Sequence, residues 1–406
     1  MPDTESADAL RTETAECVCV CRQEEGIFVT KKEIAQGKPL NPHALESYLR
    51  FSYLAGDEGF SGEKLTYPTV RFAFAPERTE GEYLRELEGI LDAIFEEERK
   101  HADAAFLSSG VDSSLIACGI RAKKTFSVAY EEEAFDESAP ALATAKKLGS
   151  EHHVVKIGPA DFFGAVTDAM AARGNPTGDA SYVALFLAAG EAACHTGAVC
   201  SGEGPDEMFC GYPCYSRYFD DPGEDFWLKT NTIMEIGPVD FPELSAYRGD
   251  GFLKMNAFDL SRWLYGNILP NVQTAAKGTG IDIRTPYMRR ELMDFALALP
   301  VRYKADRTMG KILFRKAARR WTGAEIAQRE KRGFPVPVRR WMRLEPWKTQ
   351  ITDALTGETA RRVLDFVDRE GILRAFYAGA DETLWKQIWE MFVLIRWYDA
   401  VKGTAS

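Results

Sequence analysis

Short apolar runs alternate with helix-spaced patterns through the middle of the chain. Ala104 to Leu107 is an apolar run that halts at two serines and a glycine, with a helical pattern near 113–122. Thr125 to Tyr130 reads as the next strand, Glu137 to Leu148 as a helix and His152 to Ile157 as a strand. Ser181 to Cys194 reads as a helix and Ala198-Val199-Cys200 as a further strand. Buried strands alternating with helices imply an α/β fold with a doubly wound parallel sheet. Upstream, Cys17–Cys21 and Ile27–Thr30 read as a hairpin, while Leu45–Leu54 and Tyr83–Phe95 carry helical spacing. Beyond about residue 225 the strand signal fades and Trp-, Leu- and Arg-rich helical patterns dominate, so a mainly α-helical C-terminal region is expected. The expected organisation is a disordered tail at 1–16, a connector at 17–60, an α/β core at 61–225 and a helical part at 226–406.

Composition narrows the function classes. The 406 residues are 45% hydrophobic and 27% charged, long enough for more than one domain. No apolar run approaches a membrane span. The first ten residues lack the basic start and apolar stretch of a secretory signal, so a cytoplasmic location is expected. A net charge of −11 argues against a general nucleic-acid surface. Eight cysteines are too sparse for a disulfide scaffold, and Cys17, Cys19 and Cys21 alternate as packing residues on one strand face.

Two loops carry the chemistry. In Ser108-Ser109-Gly110-Val111-Asp112-Ser113-Ser114 a strand passes through small residues into a helix start. Such a turn presents free N–H groups to an anion, and Asp112 adds an oxygen donor suited to Mg²⁺. The spacing is not that of a Walker-type loop. In Ser201-Gly202-Glu203-Gly204-Pro205-Asp206-Glu207 three carboxylates crowd one turn. Beside a polyanion they call for an intervening cation. Asp206 could equally cap the helix that begins there. Both loops fall at the carboxyl ends of strands, where doubly wound sheets bind ligands.

The first string resembles Ser-Gly-Gly-x-Asp-Ser, the pyrophosphate loop of the ATP pyrophosphatases, a HUP-like fold. Ser109 stands where that pattern has its first glycine. The second, continued through Phe209-Cys210-Gly211-Tyr212, resembles the Ser-Gly-Glu-Gly-x-Asp-Glu-x-Phe-x-Gly-Tyr string of the synthetase domain of asparagine synthetases. Leu40–Tyr53, Phe135–Ser138, Leu148–His153, Ile283–Tyr287, Gly310–Ala317 and Lys331–Pro337 extend the likeness over about 300 residues. The resemblance implies a ligase that adenylates a carboxylic acid, aspartate by default, with ATP and Mg²⁺, then lets ammonia displace AMP. It implies adenosine contacts at Leu107, Val128, Ser201 and Gly202. Pyrophosphate and Mg²⁺ fall to Ser108, Ser109, Gly110, Val111, Asp112, Ser113 and Ser114, with Asp206 as the second metal-binding carboxylate. Glu203, Lys311 and Lys331 are the implied catalytic groups, Lys331 preferred because it sits in a Gly-Phe-Pro loop. Arg319 and Arg320 read as a solvated helix face.

The likeness is incomplete. The chain starts Met1-Pro2-Asp3, without the Met-Cys-Gly start of a glutaminase, and nothing upstream of Leu40 makes such a domain. Free ammonia, a partner glutaminase or another amine is therefore expected, and an apolar seam around 17–60 is expected to need cover by a partner or a second copy. The family's Lys-Val-Asp-Arg segment corresponds to Asn271-Val272-Gln273-Thr274, and its Phe-Leu-Asp to Tyr287-Met288-Arg289, which suggests a different acid. The alternatives are a natural-product or peptide-cyclising ligase, a tRNA-modifying pyrophosphatase and a nucleotide-binding regulator. Glu203 keeps the chain nearer the asparagine-forming pattern, since the β-lactam-forming relatives have tyrosine there.

Overall fold

The computed structural model describes residues 34, 38–74, 76, 78–220, 231–236, 251–329, 333 and 335–403. The tail at 1–16, the hairpin expected over Cys17–Thr30 and Lys331 lie outside them.

The centre is a parallel sheet of β1 (Ala104–Phe106), β2 (Lys124–Ala129), β3 (Glu151–Lys156), β4 (Ala198–Cys200) and β5 (Asp282–Arg284). The strand order is β3-β2-β1-β4-β5. Successive residues of β1 and β4 enter different cores. Ala104, Phe126 and Val199 pack with Ala189 and Ala192 of the helix Ser181–Ala193 and Ala275 of the helix Leu269–Thr279. Ala105 and Cys200 pack with Leu115 and Ile116 of the helix Val111–Ile120, Leu87 and Leu91 of the helix Glu80–Glu98, and Leu313 of the helix Ile312–Thr322. Period-two alternation thus covers both faces, the doubly wound arrangement expected. The C-terminal region is mainly helical and ends in Trp385–Gly403.

Three elements depart from the sequence reading. The helix after β1 begins at Val111, not near 113, which puts Asp112 in its first turn. The helix Pro159–Arg173 was not read, although Pro159 opens it and Gly174 closes it. Nor was β5, which pairs Val199 with Ile283 inside the stretch expected to be helical. Three residues are too few to show a period.

The connector is no exposed seam over its described part, 38–60. Asn41 caps the helix Pro42–Phe51, whose Leu45, Tyr48, Leu49 and Phe51 are buried. Tyr48 Oη donates to the Glu390 carbonyl at 2.9 Å, Ser52 Oγ to Glu390 Oε2 at 2.9 Å, and Phe60 packs on Trp397. This segment is part of the C-terminal core. Among the described residues no helix is long and apolar enough to cross a membrane.

Candidate active site

From β1 the chain steps one way to β2 and β3, and then returns to place β4 and β5 on the other side. The carboxyl ends of β1 and β4 are therefore the switch point, where a doubly wound sheet opens a crevice. Both glycine-acid loops leave from these two ends, and a cavity of about 290 Å³ lies between them.

The first loop is braced by its own serines. Ser113 Oγ accepts from Ser108 N at 3.0 Å and lies 2.9 Å from Ser108 Oγ, which accepts from Gly110 N at 3.1 Å. Gly110 caps Val111–Ile120 without a side-chain bond, so the helix start keeps N–H groups facing the crevice. Ser109 has no left-handed φ, so the position makes no demand for glycine. Its hydroxyl instead donates to Glu137 Oε2 at 2.8 Å. Tyr287 Oη, from the Arg-Thr-Pro-Tyr element after β5, donates to the Asp112 carbonyl at 2.9 Å.

The second loop turns at Gly204, whose φ of 111° suits glycine alone. Gly204, not Asp206, is the N-cap of the short helix Pro205–Met208. That leaves the Asp206 carboxylate for another use. Lys311, left-handed at φ 60° and 1% exposed, lies with its Nζ 2.6 Å from Asp112 Oδ2 and 2.6 Å from Asp206 Oδ1. Its backbone N–H donates to the Phe209 carbonyl at 2.9 Å, tying the Lys311 turn to the second loop. Lys311 is thus no solvated residue of a basic face, and Arg315 is buried beside it with Nη1 on the Ala327 and Arg329 carbonyls. Arg319 and Arg320 are exposed as expected.

The implied Mg²⁺ can be tested against these groups. Lys311 already bridges Asp112 Oδ2 and Asp206 Oδ1, while Asp112 Oδ1, a hard oxygen donor beside them, is shielded from solvent without a hydrogen-bond partner. Orphaned buried carboxylate oxygen is costly unless a cation answers it. The pair fits a divalent ion.

Of the residues implied for ATP, Leu107, Ser108, Ser109, Gly110, Asp112, Ser113, Val128, Ser201 and Gly202 line the cavity, as does Glu203. Val111 and Ser114 do not. Val111 is buried in the apolar core on the helix side, and the fully buried Ser114 Oγ has no hydrogen-bond partner. The early start of the helix turns both inward.

Asp179, Glu207, Tyr212, Trp263 and Asn271 complete the far wall. Of these only Asp179 and Trp263 carry no signal in the sequence, since Glu207, Tyr212 and Asn271 lie in segments already singled out there. Asp179 Oδ2 accepts from Asn267 and Asn271, each at 2.8 Å, and its Oδ1 accepts from Ser181 Oγ at 2.6 Å. Burial, reinforced by the Asp206 charge, pushes the Glu207 carboxyl well above the carboxylate range, even though Tyr212 Oη donates to it. Trp263 Nε1 donates to Tyr212 Oη at 3.0 Å. Trp263 arrives on the π-helical stretch Asp259–Ile268. The substituted positions Gln273, Thr274 and Arg289 are absent from the lining: Thr274 bonds its own helix at the Pro270 carbonyl, and Arg289 pairs with Glu98 at 2.8 Å. Only Asn271 of that segment reaches the cavity.

Comparison with known proteins agrees with this construction. The chain is 26% identical to the putative glutamine-hydrolysing asparagine synthetases of Mycobacterium bovis and Mycobacterium tuberculosis, over 82% of its length and 60% of theirs. It is 26% identical to a glutamine-hydrolysing asparagine synthetase of Bacillus subtilis, over 67% of its length and 52% of that protein's. The chain therefore spans between half and two thirds of these relatives. The family model described as asparagine synthase matches residues 101–399, from the turn before β1 into the last helix, and the chain belongs to that family.

Proposed function

We propose that this chain is an ATP-dependent amide ligase that adenylates a carboxylic acid, L-aspartate by default, and passes the acyl group to ammonia. The observation that carries the reading is the convergence of Asp112, Asp206 and Lys311 at the switch point, beside a helix start that no side chain caps.

ATP enters with its adenine over Leu107 and Val128 and its phosphates at the start of Val111–Ile120. The substrate carboxylate attacks the α-phosphorus from the Glu203 side, and the bond to the β-phosphate breaks. Charge accumulates on the departing pyrophosphate, where the loop N–H groups, the serine hydroxyls and the Lys311 ammonium stabilise it. Asp112 and Asp206 would hold Mg²⁺, which supplies charge neutralisation on the phosphates. Ammonia then adds to the acyl carbonyl, the tetrahedral adduct loses a proton, and AMP leaves with its electron pair. Lys331 remains a candidate for the same charge. The nucleophile is ammonia, free in solution or delivered by a separate glutaminase, or else a different amine.

A second reading has one observation in its favour. Asn271 faces the cavity at the position corresponding to the lysine of the family's Lys-Val-Asp-Arg segment, beside the aromatic Trp263 and the carboxylate Asp179. That altered wall favours an acid other than aspartate.

ATP–pyrophosphate exchange across a panel of acids tests both. Exchange that depends on L-aspartate supports the first reading, and exchange that depends on another acid supports the second. ATP binding without exchange on any acid or amine pairing would defeat the ligase reading.

A further inference from the structure

Away from the two carboxylates of the reaction centre, β3 and the helix Ser181–Ala193 bring a different donor set together. His152 and His153 are neighbours on a strand, so they face opposite sides. His152 spends both ring nitrogens on hydroxyls, Nδ1 at 2.9 Å from Thr125 Oγ1 and Nε2 at 3.0 Å from Ser127 Oγ. His153 turns the other way and stacks on Phe126, its register partner on β2, with centroids 5.0 Å apart and planes at 18°. There it meets His195, which follows the helix end, at a centroid distance of 4.0 Å. Glu191, one turn before His195, reaches its Nε2 with Oε1 at 2.9 Å. One ligand atom from each of His153, Glu191 and His195 lies within 4.8 Å of the others. His153 Nε2 is shut off from solvent, stands 3.1 Å from Glu151 Oε1 and makes no hydrogen bond.

We propose that His153, Glu191 and His195 form a second metal site, taking a divalent transition ion of the Zn²⁺ class. A solvated His195–Glu191 ion pair would explain one imidazole. It would not explain a second imidazole packed against the first at 4.0 Å, with a shielded nitrogen that has a carboxylate 3.1 Å away but no hydrogen bond. Two imidazoles and a carboxylate are an ordinary zinc donor set. Mg²⁺ prefers all-oxygen surroundings, so the two sites sort their ions by donor type. Glu151 stands near enough to complete or balance the set.

The ion would fasten β3 to a helix that carries Ser181, Leu185 and Ala188 in the cavity wall, with Phe126 between the two sites. Its occupancy therefore stiffens the nucleotide side of the crevice. This does not depend on which acid is used, nor on the chain being a ligase.

The full-length chain, stripped of metal and held in excess Mg²⁺, is titrated with Zn²⁺ by calorimetry and with Co²⁺ by visible absorption. One equivalent of Zn²⁺ should bind without competition from Mg²⁺ and raise Tm. Co²⁺ should show ligand-field bands without thiolate charge transfer. His153→Ala and His195→Ala should each abolish the binding, and Cys194→Ser should leave it intact, although that exposed thiol adjoins His195. Glu191→Gln, at a half-exposed position, gives a variant mild enough to keep the apo-protein Tm, and its Zn²⁺ affinity should fall. The proposal is overturned by failure to bind stoichiometric Zn²⁺, by binding that survives both histidine variants, by loss on Cys194→Ser, or by unchanged affinity in Glu191→Gln.

Discussion

Lys311 shows how much a single residue's surroundings decide. On the sequence it is one cation in a basic helix; in the structure it holds a left-handed backbone at the helix entrance and bridges two acids. Removing it leaves Asp112 and Asp206 facing each other without their fixed cation. Lys311→Met should keep the fold but lower ATP–pyrophosphate exchange by roughly 10²–10³-fold, the usual cost of deleting one preorganised charge contact. Exchange near the unmodified rate would remove Lys311 from the chemistry. Ser109 makes the opposite case. Its backbone is unstrained, so Ser109→Gly loses only the hydroxyl contact to Glu137. One net hydrogen bond of about 0.5–1.5 kcal/mol corresponds to a change of roughly 2–12-fold in exchange. A complete loss would mean that Glu137, and not the loop backbone, is the functional group held there.

Between elements, the second loop and the Lys311 turn interlock so closely that glycine is required on both sides. A Cβ on Gly211 would stand 2.1 Å from Lys311 Cε and 2.2 Å from Asp206 Oδ1, and one on Gly310 would stand 1.9 Å from the Cys210 carbonyl oxygen. Gly211→Ala must push the lysine off the acids. It should abolish exchange while shifting Tm less than Gly310→Ala, whose clash is with backbone; equal activity in Gly211→Ala and the unmodified protein would refute the tight triad. This level also explains what could be read in advance. The two loops were legible because phosphate chemistry demands glycine, serine and carboxylate in contiguous spacing, and the strand–helix rhythm placed them on one sheet edge. Asp179 sits in the loop before Ser181–Ala193, about 80 residues from Trp263 and about 90 from Asn271, so the three share no local signal. Their meeting depends on the packing of Leu269–Thr279 against Ser181–Ala193 and on the Asn267 and Asn271 amides that donate to Asp179. Val111 and Ser114 were assigned to the ligand by motif alone, and a helix starting two residues early turns them into the core.

Across the whole molecule, two buried glutamates join distant parts of the chain and respond to pH in opposite directions. Glu98 closes the helix Glu80–Glu98 onto β5 through Arg284 at 2.5 Å and onto Arg289 at 2.8 Å. Burial alone would raise its pKa, but the hydrogen bonds from Arg284 and Arg289 outweigh that and hold it below the usual range. Its contribution is present above the unfolded value of about 4.3 and fades as pH falls through the lower folded value. Glu98→Gln should therefore cost about 1–3 kcal/mol near neutrality, read by urea unfolding, and progressively less in acid. Glu390 ties the last helix to the connector through Ser52 and Tyr48. Burial pushes its carboxyl well above the normal range, and the Ser52 hydroxyl offsets only part of that. The folded protein therefore prefers the protonated form. Stability from this group is full below the unfolded pKa of about 4.3 and declines as pH rises toward the folded one. Glu390→Gln keeps the shape without the ionisation, so its Tm should exceed that of the unmodified protein near neutrality and converge with it at about pH 4. A Tm difference independent of pH would show that Glu390 is not protonated in the fold. A variant less stable than the unmodified protein near neutrality would show instead that the charge is compensated at the seam between connector and last helix.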